Sequence, residues 1–103
     1  MSKKNIKELM KKQLEDDNYL TSISKKPFEE ADKNKNGTID FKELKACMIE
    51  IAQGMGDKIP KDKIIAEEFH YLDKDRNKTI DFNEFKMFIK NNMLRIIDSI
   101  PDN

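Results

Sequence analysis

The chain has 103 residues, which suggests one domain with a modest core that gains from an extra brace such as a metal or a partner. Charged residues make up 39%, and Lys+Arg and Asp+Glu both number 20, so the formal net charge is zero. That balance excludes the strongly basic class that binds nucleic acid and gives no long-range attraction for cations.

Cys47 is the single cysteine and cannot close an internal disulfide, which points to a reducing compartment. The first residues lack the apolar run of a signal peptide. No apolar stretch approaches membrane-spanning length. Residue 2 is Ser, where an N-myristoylation signal needs Gly. A cytoplasmic protein without membrane association is the expectation. No Ser/His/Asp set, phosphate-binding glycine loop or zinc spacing is present, so no enzyme activity is expected. His70 stands alone on a helix as a rim residue, and Cys47 reads as a packed thiol.

The first 23 residues read as an extension. Ile6, Leu9, Met10 and Leu14 recur at helical spacing among Lys3, Lys4, Lys7, Lys11 and Lys12, which predicts a basic amphipathic helix. Its stripe is expected to pack on its own lobe; the sharper readings are a segment that lies in the protein's own groove, or one that binds a partner or an anionic surface. Asp16-Asp17-Asn18 marks a break or a fresh helix start.

Residues 32–43 carry the chemistry. Asp32, Asn34, Asn36, Thr38, Asp40 and Glu43 stand at the first, third, fifth, seventh, ninth and twelfth positions, and Gly37 at the sixth. Ca²⁺ is a hard cation that takes six to eight oxygens. Asp32, Asn34 and Asn36 offer side-chain oxygens from a tight turn, Thr38 its backbone carbonyl, and Asp40 a direct or water-mediated contact. Glu43 closes the cage with both carboxylate oxygens. Gly37 permits the positive φ of the bend. The stretch fits D-x-[DN]-x-[DN]-G-x₅-E in full and resembles an EF-hand loop of the calmodulin-like family.

That resemblance implies a helix leading into the loop. Pro27 lies five residues before Asp32, and an interior proline removes a donor and clashes with the preceding turn. A short helix over about 25–31, capped by Ser24, or a kink at Pro27, is therefore predicted. Phe41 to Gln53 reads as the exit helix, with Leu44, Cys47, Met48 and Ile51 as its buried stripe. Gly54 is placed at its end. A linker over 54–60 and a helix from about Lys61 to Leu72 follow.

Residues 73–84 then repeat the loop. Shifted by 41 positions, nine of the fourteen residues from 32 to 45 recur identically. Asp73, Asp75, Asn77, Thr79, Asp81 and Glu84 take the ligand positions. The flanking helices recur as well, Phe28 matching Phe69, so one structural unit is used twice. Loop two has four carboxylates to loop one's three, but Lys78 replaces the sixth-position glycine. A left-handed L-residue costs roughly 1–2 kcal/mol. That would weaken binding about 5- to 30-fold if the strain appeared only on binding. The last helix starts near Phe82 and runs to about Ser99, ahead of Pro101. Its apolar end, Met93 to Ile97, is expected to wrap back onto the lobe.

The resemblance covers residues 24–92. It implies an all-α fold, a paired EF-hand lobe with Ile39 and Ile80 joining the loops as a short antiparallel ribbon, extended by residues 1–23 and 93–103. It further implies one or two bound Ca²⁺, with Mg²⁺ as a competitor. The function expected is a calcium sensor that exposes a hydrophobic groove to an amphipathic helix of a target protein. A calcium buffer and a permanently bound regulatory light chain are the alternatives. The sequence leaves open whether the chain is a monomer or a dimer.

Overall fold

A computed structural model describes residues 3–100, the side chains of residues 3 and 4 excepted. Its fold is all-α: α1 (Lys3–Glu15), α2 (Asp17–Ala31), α3 (Phe41–Met55), α4 (Asp62–Leu72) and α5 (Phe82–Asp98). No strand forms among the described residues. Pro101, expected to bound the last helix, lies outside them.

The sequence repeat becomes a pseudo-two-fold packing. Phe28 of α2 meets Phe82 of α5 edge-on at 5.3 Å. Its equivalent, Phe69 of α4, meets Phe41 of α3 at 5.9 Å. Each helix that leads into a loop thus packs on the helix that leaves the other loop. Phe28 also makes an edge contact with Phe85 at 5.4 Å. Such pairs add about 0.5–1.5 kcal/mol beyond their buried area. Ile39, Leu44, Leu72, Ile80, Phe85 and Phe88 fill the centre and are almost wholly buried.

The helix into the first loop is longer than its sequence predicts. It starts at Asp17, and Asp16, not Ser24, is its N-cap, accepting from the amides of Asn18 (2.9 Å) and Tyr19 (3.4 Å). Pro27 lies inside the helix. Tertiary contacts offset the missing donor. Leu20 and Ala31 are buried, and Ile23 and Phe28 pack on the same core. Lys86 of α5 pins the first turn through Asp17 Oδ1 (2.7 Å) and Thr21 Oγ1 (3.1 Å). Ser24 is fully buried in mid-helix, and its hydroxyl finds no hydrogen-bond partner.

Gly54 is helical, and the end of α3 falls two residues later. Gly56 takes the left-handed conformation, φ 72°. Its amide donates to Gln53 O (3.2 Å), and that of Asp57 to Ala52 O (2.9 Å). These are the two bonds of a Schellman stop. Either glycine suits the role locally, and this bond pair selects the second.

α1 packs against α2 and α5. The expectation that its apolar stripe packs on its own lobe fails for most of the stripe. Leu14 is buried, whereas Ile6, Leu9 and Met10 face outward. Lys11 pairs with Asp98 at 2.7 Å, and Lys7 Nζ donates to Ile100 O at 2.9 Å, at the C-terminal end of α5. A cation there complements the partial negative charge of a helix terminus. At the same end of α5, Ile97 is buried and Leu94 packs on the core, while Met93 remains exposed. No described helix is long and apolar enough to cross a membrane.

Candidate metal centre

The two loops are built on the same plan and differ in the amide that the last glutamate reaches, Asn34 N in loop one and Lys74 N in loop two. In loop one, Asp32 sits at the end of α2 and accepts from the amides of Asn36 (Oδ1, 3.2 Å) and Gly37 (Oδ2, 2.9 Å). Asn34 Oδ1 accepts from the same Asn36 amide at 3.3 Å. One N–H therefore draws the oxygens of positions one and three together. Asn36 Oδ1 in turn accepts from Thr38 N at 3.0 Å and Thr38 Oγ1 at 3.3 Å. Short side chains that bond amides two to five residues ahead turn the backbone locally, which is why Asp and Asn serve here.

Loop two copies this residue by residue. Asp73 accepts from Asn77 N (3.2 Å) and Lys78 N (2.9 Å), and Asp75 Oδ1 shares the Asn77 amide at 3.3 Å. Asn77 Oδ1 accepts from Thr79 N (3.0 Å) and Thr79 Oγ1 (2.9 Å). Lys78 holds φ 67° where Gly37 holds 84°. The lysine therefore takes the glycine's left-handed bend without changing the hydrogen-bond pattern.

The ninth and twelfth residues couple each loop to its exit helix. Asp40 Oδ1 accepts from Glu43 N at 2.8 Å, and Glu43 Oε1 accepts from Asp40 N at 3.0 Å. Asp81 and Glu84 form the same reciprocal pair at 2.8 and 3.0 Å. These capping boxes open α3 and α5. The second oxygen of each glutamate reaches across its loop, Glu43 Oε2 to Asn34 N (3.4 Å) and Glu84 Oε2 to Lys74 N (2.9 Å). Asp32, Glu43, Asp73 and Glu84 are all buried. Amide donors offset part of the cost of removing their charges from water.

Of the twelve residues expected at the two sites, Asp73, Asp75 and Glu84 converge as a carboxylate cluster, one oxygen of each within 4.8 Å of the others. Asp81 stands outside that cluster as the cap of α5. In loop one the third position is Asn34, so its corresponding set is two carboxylates, Asp32 and Glu43, with an amide oxygen between them. All these donors are oxygens, three of them carboxylates in loop two, and that set fits a hard divalent cation such as Ca²⁺.

The expected ribbon between the loops is reduced to one antiparallel bridge, Ile39–Ile80. Its two hydrogen bonds are short, Ile39 N to Ile80 O at 2.8 Å and Ile80 N to Ile39 O at 2.7 Å. Both isoleucines are fully buried. The bend over residues 36–38 before Ile39 and the start of α3 at Phe41 after it, with their equivalents 77–79 and Phe82 in loop two, stop the pairing after one residue.

Two features escape a reading of the loops as ligand patterns alone. Lys35 and Arg76, at the fourth positions, also hold positive φ of 55°. Neither residue type signals that conformation; only its place in the loop does. The capping boxes were legible, since Asp40-x-x-Glu43 and Asp81-x-x-Glu84 both fit the spacing, yet the same residues read first as ligands.

A family model for the EF-hand domain pair matches residues 20–90. No curated protein matches the sequence.

Proposed function

Because the chain belongs to the EF-hand domain-pair family, for which calcium binding is the implied property, we propose that it is a non-enzymatic calcium sensor in the cytoplasm whose output is a hydrophobic groove for an amphipathic partner helix. Asp32, Asn34, Asn36, Thr38, Asp40 and Glu43 would hold one ion, and their equivalents from Asp73 to Glu84 a second, with Mg²⁺ competing for both. When bound, Ca²⁺ supplies a divalent charge that the carboxylates of each loop neutralise.

The observation that carries this reading is the double role of Glu43 and Glu84. Each is at once the last residue of a loop and the third residue of an exit helix. Any rearrangement of those carboxylates is transmitted to α3 and α5 as rigid rods. The Ile39–Ile80 bridge makes the two loops one body, so the helices respond together.

What α3 and α5 would uncover is apolar. Between them lie two neighbouring cavities of about 260 and 310 Å³ that share Ile51, Asn92 and Ile96 as a common wall. Met48 and Met55 line the first and Met93 the second. Flexible thioethers suit a surface that accepts varied helices.

Calcium titration by calorimetry and NMR on the wild type, Glu43→Gln and Glu84→Gln tests the proposal. Two sites in the wild type and one in each variant, with shifts at Met48, Ile51 and Ile96 on saturation, are expected. No binding by the wild type refutes calcium binding altogether. Binding without any response at the groove, checked with a hydrophobic dye, refutes the sensor and leaves a buffer.

A further inference from the structure

α1 presents Ile6, Leu9 and Met10 to solvent, 42, 52 and 36% exposed, at the i, i+3, i+4 spacing of a single helical face. Five lysines against two glutamates make this helix basic. α1 is anchored by Leu14 and by the Lys7 and Lys11 contacts to the end of α5, and none of its described side chains lines either cavity. The stripe is therefore not spent on the protein's own groove.

The larger cavity has the complementary character. Its apolar lining is drawn from α2, α3 and α5, including Pro27, Ala31, Cys47, Ile51, Met93 and Ile96. Glu30, Glu43 and Glu50 stand at it against one cation, Lys33. Glu30 and Glu50 are exposed. The negative field there is also felt by Cys47, whose thiol is raised by burial and then by Glu50 and Glu30.

We propose that this groove receives α1 of a second copy of the chain, Ile6, Leu9 and Met10 entering the cavity between α2, α3 and α5 while the exposed Lys12 of α1 faces Glu30 and Glu50. The donor surface and the acceptor surface are different, so the contact is heterologous and each copy offers one of each. A free copy would then compete with the target helix for the same groove. The inference rests on the reading of that groove as the target site, and measuring self-association in chelator as well as in calcium separates its failure from a failure of calcium binding.

Two full-length variants test it by sedimentation velocity and light scattering. Leu9→Glu spoils the stripe and leaves the groove; its site is exposed, so the core is untouched. Glu30→Lys/Glu50→Lys spoils the groove mouth and leaves the stripe. The wild type is expected to show a mass that rises with concentration above the 12.1 kDa of one chain. Each variant alone is expected to associate at least about tenfold more weakly, about 1.4 kcal/mol. Mixed together, they are expected to form a dimer that grows no further, because only one stripe and one groove remain. A wild type that stays monomeric at every concentration overturns the proposal, as does self-association unchanged in both variants or a mixture that fails to pair. A monomeric wild type that sediments with vesicles of anionic lipid also overturns it, and assigns the stripe to a membrane surface.

Discussion

Lys78→Gly isolates the cost of one backbone conformation. Lys78 and Gly37 occupy equivalent positions with φ of 67° and 84°. A Cβ built on Gly37 meets nothing within 4 Å, so a side chain at this position suffers no collision. The difference between the loops is then conformational. Holding an L-residue left-handed costs about 1–2 kcal/mol. Glycine removes that cost but gives the unfolded chain more freedom, worth about 0.4–1 kcal/mol in the opposite sense. Lys78→Gly should therefore stabilise the protein by up to about 1.5 kcal/mol, most simply about 1. Gly37→Lys should destabilise it by a similar amount. The double swap should restore nearly the wild-type value, since the two terminal changes act on separate loops. Urea unfolding reads these differences directly, and a change of 1 kcal/mol should move the thermal midpoint by about 4–8 °C. Lys78→Gly lowering stability, or both single variants moving it in the same direction, refutes the reasoning. In the calcium titration, Lys78→Gly should leave loop-two affinity nearly unchanged, because the folded loop already holds the bend. A gain in the range of about 5- to 30-fold shows that the bend is imposed on binding, because strain common to both states cancels.

The remaining predictions concern the core and the thiol. Ser24→Ala replaces a buried hydroxyl that has no partner, so it should raise stability by about 1 kcal/mol in the same urea assay, whereas a loss of that size would reveal a hidden hydrogen bond. Phe28→Ala removes the ring that joins Phe82 and Phe85 and should cost about 3–5 kcal/mol; a loss under 1 would show that α2 does not depend on this contact. Burial, with Glu50 and Glu30 nearby, pushes the Cys47 thiol from 9.0 up to about 11. The folded protein should thus alkylate slowly at neutral pH, and its rate should climb towards pH 11. Because the folded pKa is the raised one, the thiol's contribution to stability is intact below pH 9 and is lost between about 9 and 11, which unfolding curves across that window check.

Local chemistry made much of this protein legible. Each loop is closed within twelve residues by side chains bonding nearby amides, so Asp32 to Glu43 and Asp73 to Glu84 carry their own instructions, and the 41-residue repeat shows that one unit is used twice. The phases of α3, α4 and α5 follow from apolar spacing for the same reason. Three features were settled only by contacts between residues far apart in the chain. α2 begins at Asp17 and runs through Pro27 because its inner face docks on the core and Lys86, 69 residues away, holds its first turn. The two loops become one unit because Ile39 and Ile80 pair across the fold, in a single bridge bounded by a bend before each and an exit helix after it. The stripe of α1 faces outward because Leu14 and two lysine contacts to the end of α5 fix the helix's rotation, and periodicity gives the face of a helix but not the direction in which that face points.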